Sequence, residues 1–386
     1  MPGSSGLLNG YASEYDSLLL RHATALIGLD SSNPPGDENA VADYCADAMA
    51  SIGLNVQKMR LDGGYRNVIG ISSGGKAPDI ALCGHIDTVP AAGGWTRPPF
   101  AATTEGGLLF GRGSADMKGA LAAMLTAAKF ARDKGFGYDR GFALVFTGDE
   151  ENCCRGAEEL IKDTAFKPRA AVIGEPTRLE VHTGSRGYSK YIIHSEGVGC
   201  HAACPEEGEN AIFKMARALT RLESYSQTAA GRMHPELGAA SFNVGTIKGG
   251  TNVNVVPDSC EADAEYRLLP GESAEDIASE LGALAGEDAK VRIVQSYPGA
   301  YTEKGHPFVL SVCAAVEQVL GKMAKTGAFP AFSEAGFFAK GWGAPTVLLG
   351  PGSIEMAHKA DECIPVKELL AAAKIYALML CQQPLI

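Results

Sequence analysis

The chemistry in this sequence gathers in seven residues: His85, Asp87, Asp116, Glu150, Glu151, Glu175 and His358. His85 and Asp87 lie in GHIDTVP after the run DIALCG, and Asp116 lies in GRGSADMKG. Glu150 and Glu151 follow FALVF in TGDEE, Glu175 follows AAVIG in GEPT, and His358 falls in GPGSIEMAHKADE after TVLLG. A lone acid past a strand end is ordinarily a helix cap or a solvated loop residue. Three strand ends that each deliver imidazole or carboxylate are less easily dismissed, because ligands of open α/β sheets collect at the carboxyl ends of the strands. The donor types suit divalent metals. One ion needs only three or four donors, whereas two ions sharing a carboxylate use the set economically.

The expected ligands are therefore His85, Asp116 and Glu175 on one ion and Asp116, Glu151 and His358 on the other. Two ions bring +4 against −3 from three carboxylates, and one hydroxide cancels the remaining charge of about +1. A hydroxide bridging ions ~3.5–4 Å apart is the nucleophile of two-metal hydrolases. Asp87, two residues past His85, is placed to steady the imidazole from the side away from its ion. Glu150, beside Glu151, is the expected general base. Zinc is the default ion, with cobalt and manganese as alternatives, because no soft ligand discriminates among them.

These residues must be carried by elements that converge. Residues 13–29 and 37–52 read as amphipathic helices separated by the breaker SSNPPG (31–36); in the second, Val41, Cys45, Ala48, Met49 and Ile52 recur at helical spacing. Short apolar runs at 67–72, 79–84, 142–146 and 170–174 read as strands, with an Ala-rich helix near 117–133. A strand at 346–350 and a helix at 366–381 close the chain. This alternation predicts an α/β fold, a mainly parallel sheet with helices on both faces. The middle differs. Strands near 186–196, 242–250, 256–269 and 290–297 with helices near 206–224 and 273–285 give the order β-α-β-β-α-β of a ferredoxin-like sandwich. The expected domains are a discontinuous catalytic one, 1–183 and 298–386, and an inserted one, 184–297.

Composition narrows the classes. The 386 residues carry 34 Lys and Arg against 45 Asp and Glu, a formal charge of −11, which disfavours nucleic acid or an anionic membrane surface as partner. No apolar run reaches the ~18–20 residues of a membrane span. The first ten residues lack the basic and apolar regions of a signal peptide. Ten scattered cysteines, including Cys45, Cys83, Cys313 and Cys381 in apolar runs, read as small packing residues, and a cytoplasmic setting is expected. The pairs Cys153/Cys154 and Cys200/Cys204 are read likewise as packing residues, with redox activity or binding of a stray metal as the alternatives. The Gly-rich runs 72–79 and 89–95 lack phosphate-loop spacing and read as turns.

The motifs above, with GxxxHAAxPxxGxNAI (199–212) and FNVGTIKGGTNVNVVPDSCEADAEYR (242–267), resemble the dinuclear metallopeptidase and deacylase family of acetylornithine deacetylase and succinyl-diaminopimelate desuccinylase. The likeness runs in order from about residue 15 to the end. It implies the same metal ligands, an inserted domain that acts as a lid and pairs two copies, and a cis Asp116–Met117 peptide. It also implies that His201 reaches the partner subunit's site to steady an oxyanion, and that Arg267 clamps a substrate carboxylate. Asn252 and Asn254 are further candidates for polar substrate or oxyanion contacts, and Ser333 and Gly352 lie in loops that would edge the pocket. FSEAGFF and GPGSIEMAHKADE look more like the deacetylase branch. The expectation is deacetylation of N-acetyl-ornithine-like substrates in arginine biosynthesis, by a homodimer. Desuccinylation, carboxypeptidase or dipeptidase action, and metal-dependent binding on an inactive hydrolase fold are the alternatives.

Overall fold

The computed structural model describes residues 8, 10–72, 77–137, 141–163 and 165–382. Most of the leader and part of the Gly-rich run 72–79 lie outside them. Two compact units divide the chain: Met1–Gly184 with Tyr301–Phe329 and Ser333–Ile386, and Ser185–Ala300 with Pro330–Phe332.

The first unit is built on a nine-stranded mixed sheet. Its centre is parallel, in the spatial order Phe142–Thr147, Ile80–His85, Ala171–Ile173, Thr346–Leu348. Every residue of these strands is buried, as continuous apolar runs covered on both faces require. Parallel strands present their carboxyl ends to one edge, which is why residues far apart in the chain can meet there. The pair Asn55–Arg60 and Arg66–Ile71 extends the sheet antiparallel. Helix Gly119–Asp133 packs against helices Ser13–Gly28 and Val366–Cys381. Ala120, Ala122, Ala123, Ala127, Ala128 and Ala131 are wholly buried, and their small side chains let neighbours crowd it on every side. The fold class is α/β as expected. Strand Asn55–Arg60 and the small sheet of Thr103–Glu105, Leu108–Phe110 and Cys363–Pro365 were not anticipated, since segments this short or this exposed carry little periodicity.

The second unit is a four-stranded antiparallel sheet, ordered Ser241–Gly249, Ser259–Arg267, Tyr188–Glu196, Lys290–Tyr297. Helices Ala211–Glu223 and Ala274–Ala285 pack on it. Burial alternates along Tyr188–Glu196 and Ser259–Arg267, the mark of one covered face. Asn210 and Ser273 cap the two helices by accepting backbone N–H groups. An extra helix, Tyr225–Gly231, and a two-residue hairpin separate the first helix from Ser241–Gly249. Among the described residues no helix is long and apolar enough to cross a membrane, and all ten cysteines are free.

Candidate metal centre

The edge of the parallel sheet assembles the site. His85 ends its strand, pairing in register with Thr147, and Glu150 and Glu151 follow Thr147 by three and four residues. Glu175 follows Ile173 by two, and His358 lies in the loop after Leu348. Asp116 arrives on the turn before helix Gly119–Asp133, with the Asp116–Met117 peptide cis.

Two triplets form: His85, Asp116 and Glu175, and Asp116, Glu151 and His358, each with ligand atoms within 4.8 Å of one another. Asp116 belongs to both and turns one oxygen to each. Its Oδ1 lies 3.1 Å from His85 Nε2 and its Oδ2 3.4 Å from His358 Nε2. His358 Nε2 is also 3.1 Å from Glu151 Oε2. His85 points Nδ1 away from this cluster, 3.0 Å from the Asp87 carbonyl and 3.5 Å from Asp87 Oδ1. Asp87 itself accepts the backbone N–H groups of Glu150 and Glu151, each at 3.1 Å. It therefore holds both the imidazole and the acidic turn.

The charge distribution is that of a cation site. Burial would lower the His85 imidazole, but Asp116 and Asp87 raise it well above its usual range. Burial would raise Asp116, but hydrogen bonds with His358 and His85 hold it below the carboxylate range. His358 is raised to about 10 by Asp116 and Glu151. Glu150 and Glu175 are pushed well up by burial, with neighbouring carboxylates adding to the effect. Acids this crowded and this dry cannot all stay ionised without compensating positive charge. Mixed imidazole and carboxylate donors at these separations fit divalent metals.

His201, Asn252, Asn254 and Arg267 belong to the second unit. There the segment of His201 is laced to that of Asn254: His201 bridges Val255, and Ala202 N–H donates to the Asn254 carbonyl at 3.0 Å. His201 is exposed, with Nδ1 accepting from Ala203 N–H at 3.0 Å. Arg267 Nε donates to Glu265 Oε1 at 2.6 Å, and its guanidinium lies 5.2 Å from the Tyr188 ring centre. Ser333 is fully buried and its Oγ accepts from Ala335 N–H at 3.4 Å. Gly352 takes a left-handed φ of 84° against Ala115, where a Cβ would be tight, and donates its N–H to Glu368.

Several residues around the centre were not singled out from sequence. Buried Glu362 accepts from Ala115 and Asp116 N–H with one oxygen and from Gly113 N–H and Arg112 Nη1 with the other, which clamps the turn carrying Asp116. Glu38 accepts Asp149 N–H at 2.8 Å and Arg66 N–H at 2.9 Å, and burial, followed by Asp87, pushes its carboxyl up to about 8. A Cβ on Gly148 would overlap the Glu38 carboxylate, so the turn needs glycine there. Glu334 accepts from Thr147 Oγ1 at 2.6 Å and is pushed up to about 7, chiefly by burial. Asn33 links Asp87 to Asp149. Glu362, Asp149 and Glu334 lie inside motifs already quoted, so their place beside catalytic-type acids was the available signal.

The family model for peptidase family M20/M25/M40 matches residues 81–382. An acetylornithine deacetylase from Vibrio vulnificus is 32% identical over 348 residues, covering 86% of this chain and 89% of that protein. Among solved structures, an M20 family metallo-carboxypeptidase from Sulfolobus solfataricus superposes with a TM-score of 0.79 at 17% identity, over 95% of this chain and 99% of its own. A dinuclear metal-binding M20 peptidase from Bacillus subtilis matches at a TM-score of 0.71 and 13% identity, over 96% and 98%. At such identities the two structures speak for the fold alone.

Proposed function

The chain belongs to peptidase family M20/M25/M40 and is a metal-dependent hydrolase of amide bonds; from that premise we propose that it deacetylates an N-acetyl amino acid of the acetylornithine kind. The observation that carries the two-metal reading is Asp116, whose oxygens face His85 on one side and His358 on the other. His85, Asp116 and Glu175 would hold one divalent ion, and Asp116, Glu151 and His358 the second. Bound there, the ions supply Lewis acidity to activate a water and polarise the amide carbonyl. Glu150 takes the proton of the attacking water and returns it to the departing amine. Burial raises its affinity for a proton, which suits the return of that proton to the amine, and two cations beside it would keep the resting carboxylate ionised for the first half of the task. Asp87 holds His85 and the Glu150 turn in one frame.

The second unit is read as a lid that pairs two copies and supplies His201 to the oxyanion. Arg267, released from Glu265, is read as the clamp for the substrate carboxylate, with Asn252 and Asn254 nearby in sequence. Ser333 and Gly352 are read as supports of the loops beside the site. Zinc is the ion assigned, and a cytoplasmic role in arginine biosynthesis follows from the substrate. The deacetylase reading is favoured over its peptidase rivals by the relative at 32% identity.

Purified protein assayed on N-acetylornithine, N-succinyl-diaminopimelate and simple dipeptides decides among these. N-acetylornithine is expected to turn over fastest, and no turnover of it would sink the substrate choice. Elemental analysis is expected to find two ions per chain, and Asp116→Ala to lose both. Glu150→Gln is expected to cut kcat at least ~100-fold while keeping its metal, since general bases contribute roughly 10²–10⁴-fold.

A further inference from the structure

We propose that Asn33 is a positioning residue for this reaction, tying Asp87 to Asp149 and so holding the Glu150–Glu151 turn in register with His85. The inference rests on the reading of Glu150 as the base.

Asn33 lies in SSNPPG, whose prolines mark it in the sequence only as a helix breaker. The fold lays this segment along the loop that leaves His85. Ser31 Oγ donates to the Ile86 carbonyl at 2.7 Å, Thr88 N–H to the Ser31 carbonyl at 3.1 Å, and Asn33 N–H to the Thr88 carbonyl at 2.8 Å. These bonds fix the point from which the Asn33 side chain starts. Its Nδ2 then donates to Asp87 Oδ2 at 2.9 Å and to Asp149 Oδ1 at 2.8 Å. Chemistry dictates that orientation, because each amide N–H can meet one carboxylate whereas an amide oxygen there would face two acceptors. Asn33, Asp87 and Asp149 are all at most 1% exposed, so bulk water does not replace a lost donor.

The other bonds of the two acids show what is being held. Asp87 receives the N–H groups of Glu150 and Glu151 and lies beside His85 Nδ1. Asp149 precedes Glu150 on the same turn, in a left-handed conformation with φ of 65°. Its second oxygen takes Arg155 Nη1 at 2.9 Å, and its N–H goes to Glu38. Remove the amide of Asn33 and two buried acids face one another with no shared donor. Rotation of Asp87 relieves that repulsion and moves the turn that carries Glu150. The cost falls on proton transfer, which depends on placement within a fraction of an ångström, more than on holding the substrate.

The test compares wild type, Asn33→Ala, Asn33→Asp and Glu150→Gln, all metal-loaded, on the N-acyl amino acid that the wild type hydrolyses. Both Asn33 variants are expected to keep about two ions and to lose kcat roughly 30-fold or more, with KM within about threefold, in line with the ~10²-fold cost of a 1 Å misplacement. Asn33→Asp preserves size and removes both donors, so it is expected to be at least as slow as Asn33→Ala. A kcat within threefold of wild type in either variant, a loss carried by KM, or failure of both variants to fold overturns the proposal. An active Glu150→Gln overturns the assignment of the base instead. An inactive Glu150→Gln beside a fully active Asn33→Ala overturns only the role of Asn33.

Discussion

At the scale of single residues, several buried charges around the centre are answered by a specific partner. Glu362 is the clearest case. It and Arg112 have side chains only 1% exposed, 2.5 Å apart, and Glu362 also takes three backbone N–H groups of the turn that delivers Asp116. Glu362→Gln keeps the shape but leaves the Arg112 guanidinium buried without its counter-charge. Breaking such a pair costs about 3–5 kcal/mol. Chemical denaturation is expected to show that loss, and an unchanged midpoint would mean that water reaches Arg112 in solution. Elemental analysis of the same variant should show weaker metal retention, since the Asp116 turn loses its clamp.

At the scale of elements, helix Ser13–Gly28 meets helix Asn39–Ser51 through His22 and Tyr44, with His22 Nδ1 2.8 Å from the Tyr44 hydroxyl. Burial, aided by Arg21, lowers the His22 imidazole from 6.5 to about 4. Between those values the unfolded chain binds a proton that the folded chain refuses. Stability from this group is therefore complete above pH 6.5 and lost progressively as pH falls toward 4. His22→Gln is expected to flatten the thermal-midpoint profile between pH 6.5 and 4. A variant whose profile runs parallel to wild type would refute the assignment. The effect belongs to the helix pair and leaves the proposed metal ligands untouched.

At the scale of the whole molecule, the two units have separate hydrophobic cores, one around Leu82, Leu121, Leu144 and Tyr376, the other around Tyr191, Met215, Tyr266 and Leu281. All seven residues of the candidate metal centre lie in the first. A ligand that binds only the folded state stabilises by RT ln(1 + [L]/Kd), so metal bears on the unit that holds it. Scanning calorimetry with and without a chelator is expected to move the transition of the first unit down by several degrees and to leave that of the second in place. A single transition that shifts as a whole would show that the units unfold as one.

Much of this was legible in the residues alone. A parallel sheet delivers its strand ends to one edge, so His85, Glu151 and Glu175 could be grouped from the runs that precede them, and donor type did the rest. The amphipathic spacing of Val41, Cys45, Ala48 and Met49 located a helix for the same reason, since period and burial are local properties. What surrounds the ligands was decided only by the tertiary structure. Asn33 reaches Asp87 across 54 positions, Glu38 reaches Asp149 across 111, Thr147 reaches Glu334 across 187, and Arg112 reaches Glu362 across 250. No period or spacing announces such pairs. They exist because buried polar groups must each find a partner, and only the folded chain determines which one is within reach.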